Sequence, residues 1–352
     1  MDARARGSRR HMEGQVDADA FVESVNGAGL RHAMFAYRDR AGYRAEILRF
    51  ARAGLSAGEP ELLALRGDEA PELAARLGNQ GGHPAEIACF DMAEVGRNPA
   101  RVIPVLQAFA ERHAGQRVRL IQEPVWPGRS AAETREAIRS EALINLALAG
   151  MAVDTLCLFD EAGLAAPVMA AARLTHPELL NGGQRSAAAG YRNDGRPGPG
   201  VAPWEFPPGF DDPLPAPPAE AEMLSYDTDL ASVRRLVERH ARRAGLGSQR
   251  LMDLVLAVSE VAANTLSHTA SGGTIGVWQD EQEILCQAHD MGWIADPLAG
   301  RVRRPPDSRG HGLMVVNQIC DLVEVRTGPS GTTMRMHMHL NPGSGGFPAD
   351  SG

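Results

Sequence analysis

The stretch Leu254-Val255-Leu256-Ala257-Val258-Ser259-Glu260-Val261-Ala262-Ala263-Asn264-Thr265-Leu266-Ser267-His268 decides how the carboxy-terminal third of this chain is read. It belongs to a helix expected from Ser248 to His268, with Leu254, Val258, Val261 and Leu266 supplying the buried face. Glu260, Asn264 and His268 then stand at i, i+4 and i+8, in a line along one side. A glutamate in a cleft can take the proton of a hydroxyl nucleophile. An asparagine oxygen suits hard Mg²⁺, which keeps waters and binds through substrate phosphates. Taken alone, polar residues at this spacing are the ordinary solvated face of a helix.

Working outward, two further pieces follow in order. Asp290-Met291-Gly292 comes directly after an expected strand ending near His289. There a carboxylate can accept from an exocyclic amine such as adenine's, and the glycine admits a flat ring close to the backbone. Gly310-His311-Gly312-Leu313 opens an expected helix, Gly312 to Asp321, where backbone N–H groups can cradle phosphate. Asp-x-Gly is common in turns and Gly-x-Gly in the approach to helices, so neither decides anything singly. The elements read in order as helix (Asp229 to Ala244), helix, strand (Ile275 to Trp278), strand (Glu283 to His289), loop, helix, strand (Leu322 to Arg326) and strand (Thr332 to Met338). This order predicts an α/β sandwich with antiparallel strands.

In the order and spacing of these pieces, together with Gly331-Thr332 on the last strand, residues 223–341 resemble the GHKL ATPase superfamily (Bergerat fold), and within it the anti-sigma-factor serine kinases of the sporulation and general-stress type. The resemblance implies ATP with Mg²⁺ as cofactors. It makes Glu260 the general base, Asn264 the Mg²⁺ ligand, Asp290 the adenine-recognising carboxylate and Gly292 its backbone partner. Gly310, Gly312 and Leu313 fall in the phosphate-covering lid, Thr332 in the wall behind the adenine, and His268 where the family often carries a phosphate-proximal His or Lys. The family's Asp-x-Gly-x-Gly is here Asp290-Met291-Gly292-Trp293-Ile294, without the second glycine. That departure bears on nucleotide affinity and turnover more than on fold.

The amino-terminal half alternates strands (Ala33 to Tyr37, Leu62 to Leu65, Ile87 to Phe90, Val118 to Ile121, Thr155 to Phe159) with helices (Tyr43 to Ala57, Ala70 to Leu77, Pro99 to His113, Ser130 to Leu148, Ala165 to Leu174). Such alternation predicts a mainly parallel sheet with helices on both faces. Ser130 with Glu133 three residues on is a capping box. Arg31-His32, Phe35-Ala36-Tyr37, Gly54-Leu55-Ser56-Ala57-Gly58-Glu59, Glu123-Pro124-Val125-Trp126, Glu141-Ala142-Leu143-Ile144-Asn145, Cys157-Leu158-Phe159-Asp160 and His176-Pro177-Glu178 together resemble the MEDS sensory domain. The resemblance implies a RecA-like fold, and there is no GxxxxGK[ST] phosphate loop in the chain. His32, Tyr37, Glu59, Glu123, Trp126 and Glu141 are the candidate residues for a sensory ligand, each of which can also be read as a satisfied core or strand-end residue. A metal held by His32, Glu123 and His176 is a lesser alternative, because local ligand spacing is absent.

The expected organisation is a disordered tail (1–17), the sensory domain (18–185), a Pro/Gly-rich linker (186–222), the ATP-binding domain (223–341) and a second tail (342–352). Composition agrees with globular material: 352 residues, 43% hydrophobic and 23% charged. The net charge of −8 offers no broad basic field for nucleic acid. Four cysteines without a CxxC pair argue against a disulfide framework or a zinc knuckle, and Cys89, Cys157 and Cys286 read as small core hydrophobes. No apolar stretch reaches membrane-spanning length, so a cytoplasmic location is expected. The function implied is an anti-sigma regulator that sequesters a sigma factor and phosphorylates a Ser or Thr of an anti-anti-sigma (STAS-type) partner. The resemblance also implies a homodimer, and the first helix of the domain, with Val233, Leu236, Val237 and His240 near one face, would form part of the partner surface. Two alternatives stand beside this reading: a binding module without phosphoryl transfer, and a sensor histidine kinase, against which the absence of a phosphoacceptor helix pair before Met223 counts.

Overall fold

Leu62 to Leu65 shows how the amino-terminal half is layered. Leu63 and Leu65 pack with Ile47, Ala51 and Leu73, whereas Leu62 and Ala64 pack with Ile103, Leu106 and Leu143. Alternate residues of a strand point to opposite faces, so this strand is covered by helices on both sides. It is β2 (Glu61–Leu65) of a seven-stranded sheet that also contains β1 (Arg31–Tyr37), β3 (Ile87–Asp91), β4 (Val118–Gln122), β5 (Val153–Asp160), β6 (Glu178–Asn181) and β7 (Gln184–Ala187). The order is β3-β2-β4-β5-β1-β6-β7, parallel except for the β6–β7 hairpin. The crossovers are α1 (Arg40–Ser56), α2 (Glu69–Gly78), α3 (Met92–Val95) with α4 (Val102–Arg112), α5 (Ala131–Ala147) and α6 (Ala166–Thr175). The capping box on Ser130 and Glu133 forms as expected. This computed structural model describes residues 29–78, 85–191, 206–269, 271–303 and 310–340. The two expected tails, residues 18–28 of the expected sensory domain and the Gly195 to Gly200 part of the linker lie outside the described residues.

Three details differ from expectation. Pro99 to Arg101 is a 3₁₀ turn, capped by the Asn98 side chain, before α4 begins. The β6–β7 hairpin was not expected; strands of four residues are too short for their periodicity to stand out. Cys89 is exposed rather than buried, because β3 is the edge of the sheet.

The carboxy-terminal sheet is antiparallel throughout. Its strands are β8 (Glu222–Tyr226), β9 (Gly273–Gln279), β10 (Glu283–Asp290), β11 (Leu322–Gly328) and β12 (Gly331–His339), in the order β11-β12-β10-β9-β8. Helices α7 (Leu230–Arg243), α8 (Ser248–His268) and α9 (Gly312–Ile319) share one core with it, built on Val233, Val237, Leu254, Val258, Val277, Cys286, Val316 and Met336. This is the expected α/β sandwich. Strand β8 was not foreseen; as a largely exposed edge strand it carries little apolar alternation. The apolar face of α7, expected to contribute to a partner surface, is turned inward: Val233, Leu236, Val237 and Ala241 are buried. What α7 offers outward is charge, with Arg234, Arg235, Arg239, Arg242 and Arg243 exposed. Among the described residues no helix is long and apolar enough to cross a membrane.

The two sheets meet through a polar seam. Glu136 on α5 is 1% exposed and lies 2.9 Å from Arg301 and 2.7 Å from Arg326, with Arg139 at 3.3 Å. Asn98 and Arg101 donate to the backbone carbonyl of Asn317, both at 2.9 Å, and Arg101 also donates to that of Cys320. They satisfy carbonyls that the end of α9 would otherwise leave open, and a guanidinium there complements the helix dipole. Residues 206–212, within the expected linker, run along this seam: Phe206 lies under Arg139, and Arg326 donates to the carbonyl of Asp212.

His337 on β12 sits between two carboxylates, 3.0 Å from Glu283 and 3.2 Å from Glu324. Burial alone would lower its pKa, but hydrogen bonds to Glu283 and Glu324 outweigh it and raise the imidazole to about 9. A group whose folded pKa is raised stabilises the fold fully below its unfolded pKa, and that contribution disappears as pH rises through the folded value. The wild type should therefore lose on the order of 2–3 kcal/mol relative to His337→Gln between about pH 6.5 and pH 9. Urea titrations of both proteins across that window check it; parallel stability profiles would show that the imidazole carries no charge at neutral pH.

Candidate functional site

Helix α8 carries most of the site. Glu260 and Asn264 are one turn apart on it and both face Gly312, the first residue of α9. A Cβ built on Gly312 would come 2.6 Å from Glu260 Oε2 and 3.5 Å from Asn264 Nδ2. A side chain at this position would therefore push the Glu260 carboxylate aside where α9 passes it. The next residue of α8, Thr265, turns toward the sheet. Its hydroxyl donates to Asp290 Oδ2 at 2.6 Å, and the Gly292 N–H donates to Asp290 Oδ1 at 2.7 Å. Each carboxylate oxygen retains acceptor capacity beyond these bonds.

Thr332 lies opposite Asp290 in the β10–β12 register; its hydroxyl donates to the Gly292 carbonyl at 3.0 Å and shares a hydrogen bond with Thr327. Gly331 has φ +103°, and a Cβ there would sit 2.0 Å from the Asp290 carbonyl oxygen, so only glycine lets the two strands close this tightly behind Asp290. Tyr226 completes the set by donating to Thr265 Oγ1 at 3.1 Å. The structure thus forms two neighbouring groups on α8: Glu260 and Asn264 with Gly312, and Asp290, Gly292 and Thr332 reached through the adjacent Thr265. His268 is exposed, one turn past Asn264, with no contact to Asp290 described. Gly310 is exposed at the end of a loop whose residues 304–309 are outside the described set, and Leu313 is half-buried against the core. Ile294, which stands where the family has its second glycine, packs against the core and donates its N–H to Thr327. Trp293 is 63% exposed. A shallow depression lined by Tyr226, Gly272, Gly273, Asp290 and Met291 opens beside the site, without Glu260 or Asn264 in its lining. Sequence reasoning missed Thr265 and Tyr226. Thr265 adjoins Asn264, but only the fold shows that it aims at Asp290.

The sensory candidates fall into three separate groups. Glu59 is 2.6 Å from Arg119 and belongs to neither of the others. Tyr37 donates to Glu123 at 2.9 Å, and Arg66 donates to both oxygens of Glu123 at 2.9 and 3.2 Å. Arg66 and Arg129 both lie over the Trp126 ring. Burial, then the charge of Glu123, raises the Tyr37 phenol well above its ordinary range, so it stays protonated and donates. This group lies at the carboxyl ends of β1, β2 and β4, where open α/β sheets bind ligands. The third group joins His32 and Glu141 to His176 and Cys157, all buried. Burial, then the charge of His32, pushes the His176 imidazole down toward its neutral form, and burial raises the Cys157 thiol. The set His32, Glu123 and His176 does not assemble: Glu123 is committed to Arg66 and Tyr37, and Glu141 takes its place.

Two family models match separate parts of the chain. Residues 31–177 match the family model of the MEDS domain, the MEthanogen/methylotroph, DcmR Sensory domain. Residues 225–338 match that of the histidine kinase-like ATPase domain. The chain therefore carries an amino-terminal MEDS domain and a carboxy-terminal GHKL-type ATPase domain. No curated protein matches the chain. Among solved structures, the RsbU and RsbW domains of Rv1364c from Mycobacterium tuberculosis are 16% identical over 36% of this chain and 34% of that one, with a TM-score of 0.28. The match thus spans about a third of the length of that chain.

Proposed function

We propose that this protein is an anti-sigma regulator whose ATPase domain binds MgATP and transfers phosphate to a Ser or Thr of an anti-anti-sigma partner, and otherwise holds a sigma factor. The observation that carries the reading is the meeting of Glu260 and Asn264 at Gly312, with Asp290 held by the adjacent Thr265. These donors suit the nucleotide. A carboxylate beside an asparagine amide provides a base and, through the amide oxygen, a hard-metal ligand, and bound Mg²⁺ would neutralise the phosphates. Glu260 would orient and deprotonate the attacking hydroxyl, Asn264 would hold the metal, and Asp290 would accept from the adenine amine; Gly310, Gly312, Leu313 and His268 would serve the phosphates. The protein acts in the cytoplasm as a homodimer. Because the apolar face of α7 is used internally, its outward arginines are the surface through which it meets partners, and acidic partner surfaces fit them.

The MEDS domain controls the ATPase domain through the seam. It holds the carboxy-terminal end of α9 through Asn98 and Arg101, and the segment before the lid through Glu136 and Arg301. Glu136 is on α5, and Ser140 of the same helix donates to the Pro99 carbonyl beside Asn98 and Arg101, so a ligand that shifts α5 acts on both ends of the region covering the phosphates.

A binding module without phosphoryl transfer is the second reading, favoured by Ile294 packing where a flexible glycine would allow the lid to move. The assay separating the two incubates the protein with MgATP and candidate anti-anti-sigma partners. Glu260→Ala should lower transfer by about 10²–10⁴-fold with ATP binding retained. Sigma binding without any transfer by the wild type would leave only the second reading.

A further inference from the structure

The third sensory group has the construction of a metal centre. His32 on β1, Glu141 on α5, Cys157 on β5 and His176 just past α6 bring four ligand atoms within 4.8 Å of one another. His32 Nε2 is 3.2 Å from Cys157 Sγ and 3.4 Å from Glu141 Oε2, and His176 Nε2 is 3.2 Å from the same oxygen. The edges of a tetrahedral zinc site with N, O and S ligands are about 3.3–3.7 Å, which these three separations already approach; the remaining ones, all within 4.8 Å, close by at most about 1 Å on binding.

The surrounding hydrogen bonds fix what the four atoms present. The Asn145 amide donates to the backbone carbonyls of Thr175, Ala142 and Glu141, which leaves its oxygen to accept from His32 Nδ1 at 2.9 Å. His176 Nδ1 donates to the Ala172 carbonyl at 2.7 Å. With both Nδ1 atoms carrying protons, both Nε2 atoms turn lone pairs to the centre, and the buried His176 Nε2 faces Glu141 Oε2 at 3.2 Å. The Gln122 amide donates to Glu141 Oε1 and to Cys157 Sγ, at 3.2 and 3.1 Å, and so steadies the two anionic ligands while Oε2 faces inward. Imidazoles oriented through their second nitrogen and a carboxylate held by an amide are the usual support around a bound metal. Without a cation, two nitrogen lone pairs and a carboxylate oxygen would oppose one another in a buried space, which is costly.

We propose that His32, Glu141, Cys157 and His176 bind one divalent transition-metal ion, with zinc best suited to the two-nitrogen, one-oxygen, one-sulfur set. Two neutral imidazoles, a carboxylate and a thiolate balance its charge. Four protein ligands leave no open position, so the ion ties β1, β5, α5 and the end of α6 together and does no catalysis. Because α5 also carries Glu136 into the seam, occupancy bears on the helix that reaches the ATPase domain.

The test is the full-length chain expressed in zinc- or cobalt-supplemented minimal medium and desalted. About one equivalent of metal per chain is expected, and the cobalt protein should show the intense visible bands of a tetrahedral site with a thiolate charge-transfer band. Cys157→Ser should lose the charge-transfer band, whereas Cys89→Ser keeps it. His176→Ala should lower metal content. If a buried variant fails to fold, the wild-type spectra decide alone. A folded wild type without stoichiometric metal overturns the proposal, as does a charge-transfer band that survives in folded Cys157→Ser.

Discussion

Replacing Asp290 by Asn is expected to raise the dissociation constant for MgATP by about 30- to 150-fold, a loss of about 2–3 kcal/mol. In the wild type both carboxylate oxygens accept, one from the Thr265 hydroxyl and one from the Gly292 N–H. Asparagine has one accepting oxygen, and its NH₂ must face one of those two donors. The Thr265 hydroxyl can rotate to accept, whereas the Gly292 N–H cannot, so the amide oxygen settles on Gly292. The NH₂ then lies toward Thr265, and the acceptor offered to an incoming amine is weaker by a full charge. The fold should survive, because Asp290 is only part-buried and its strand keeps both neighbours in register. Calorimetry with MgATP reads the effect directly, and emission from the exposed Trp293 gives a second signal. Unaltered affinity in a folded variant would remove Asp290 from adenine recognition.

Glu136→Gln is the change with the largest effect on stability, an expected loss of about 3–5 kcal/mol. The carboxylate is the shared partner of Arg139, Arg301 and Arg326, which are 5–6% exposed. Removing one member of a buried ionic group leaves charges that neither water nor protein compensates. Glutamine keeps the volume, so the loss reports charge and not a cavity. Chemical denaturation of Glu136→Gln, Arg301→Met and the double variant measures it. Strong coupling in the cycle is expected, with the double variant more stable than the sum of the single changes predicts. Additive losses would mean that Glu136 and Arg301 do not act as a pair. ATP binding by the same variants shows whether loosening the seam reaches the lid.

The sequence and the structure divide the explanation unevenly. The parallel and antiparallel sheets were legible because local pattern decides them: continuous apolar runs for strands covered on both sides, a 3.6-residue period for α8, and a capping box at α5. The short or exposed edge elements β6, β7 and β8 were not legible, since a strand that buries little leaves little pattern. Cys89 was misjudged for the same reason: an apolar run on an edge strand resembles one at the centre. The face of α7 was read correctly as apolar, but periodicity cannot say whether such a face meets its own core or another protein.

By itself, then, the sequence determined the two fold classes and the helical line of Glu260 and Asn264, because both depend on spacing within single elements. Only the tertiary structure decided that Gly312 comes against that line, that Thr265 serves Asp290, and that His32, Glu141, Cys157 and His176 converge while Glu123 goes to Arg66. It also decided that Glu136 collects three arginines, two of them from beyond residue 300. These contacts join residues far apart along the chain. Their geometry follows from how strands are ordered and helices packed, which no local period encodes.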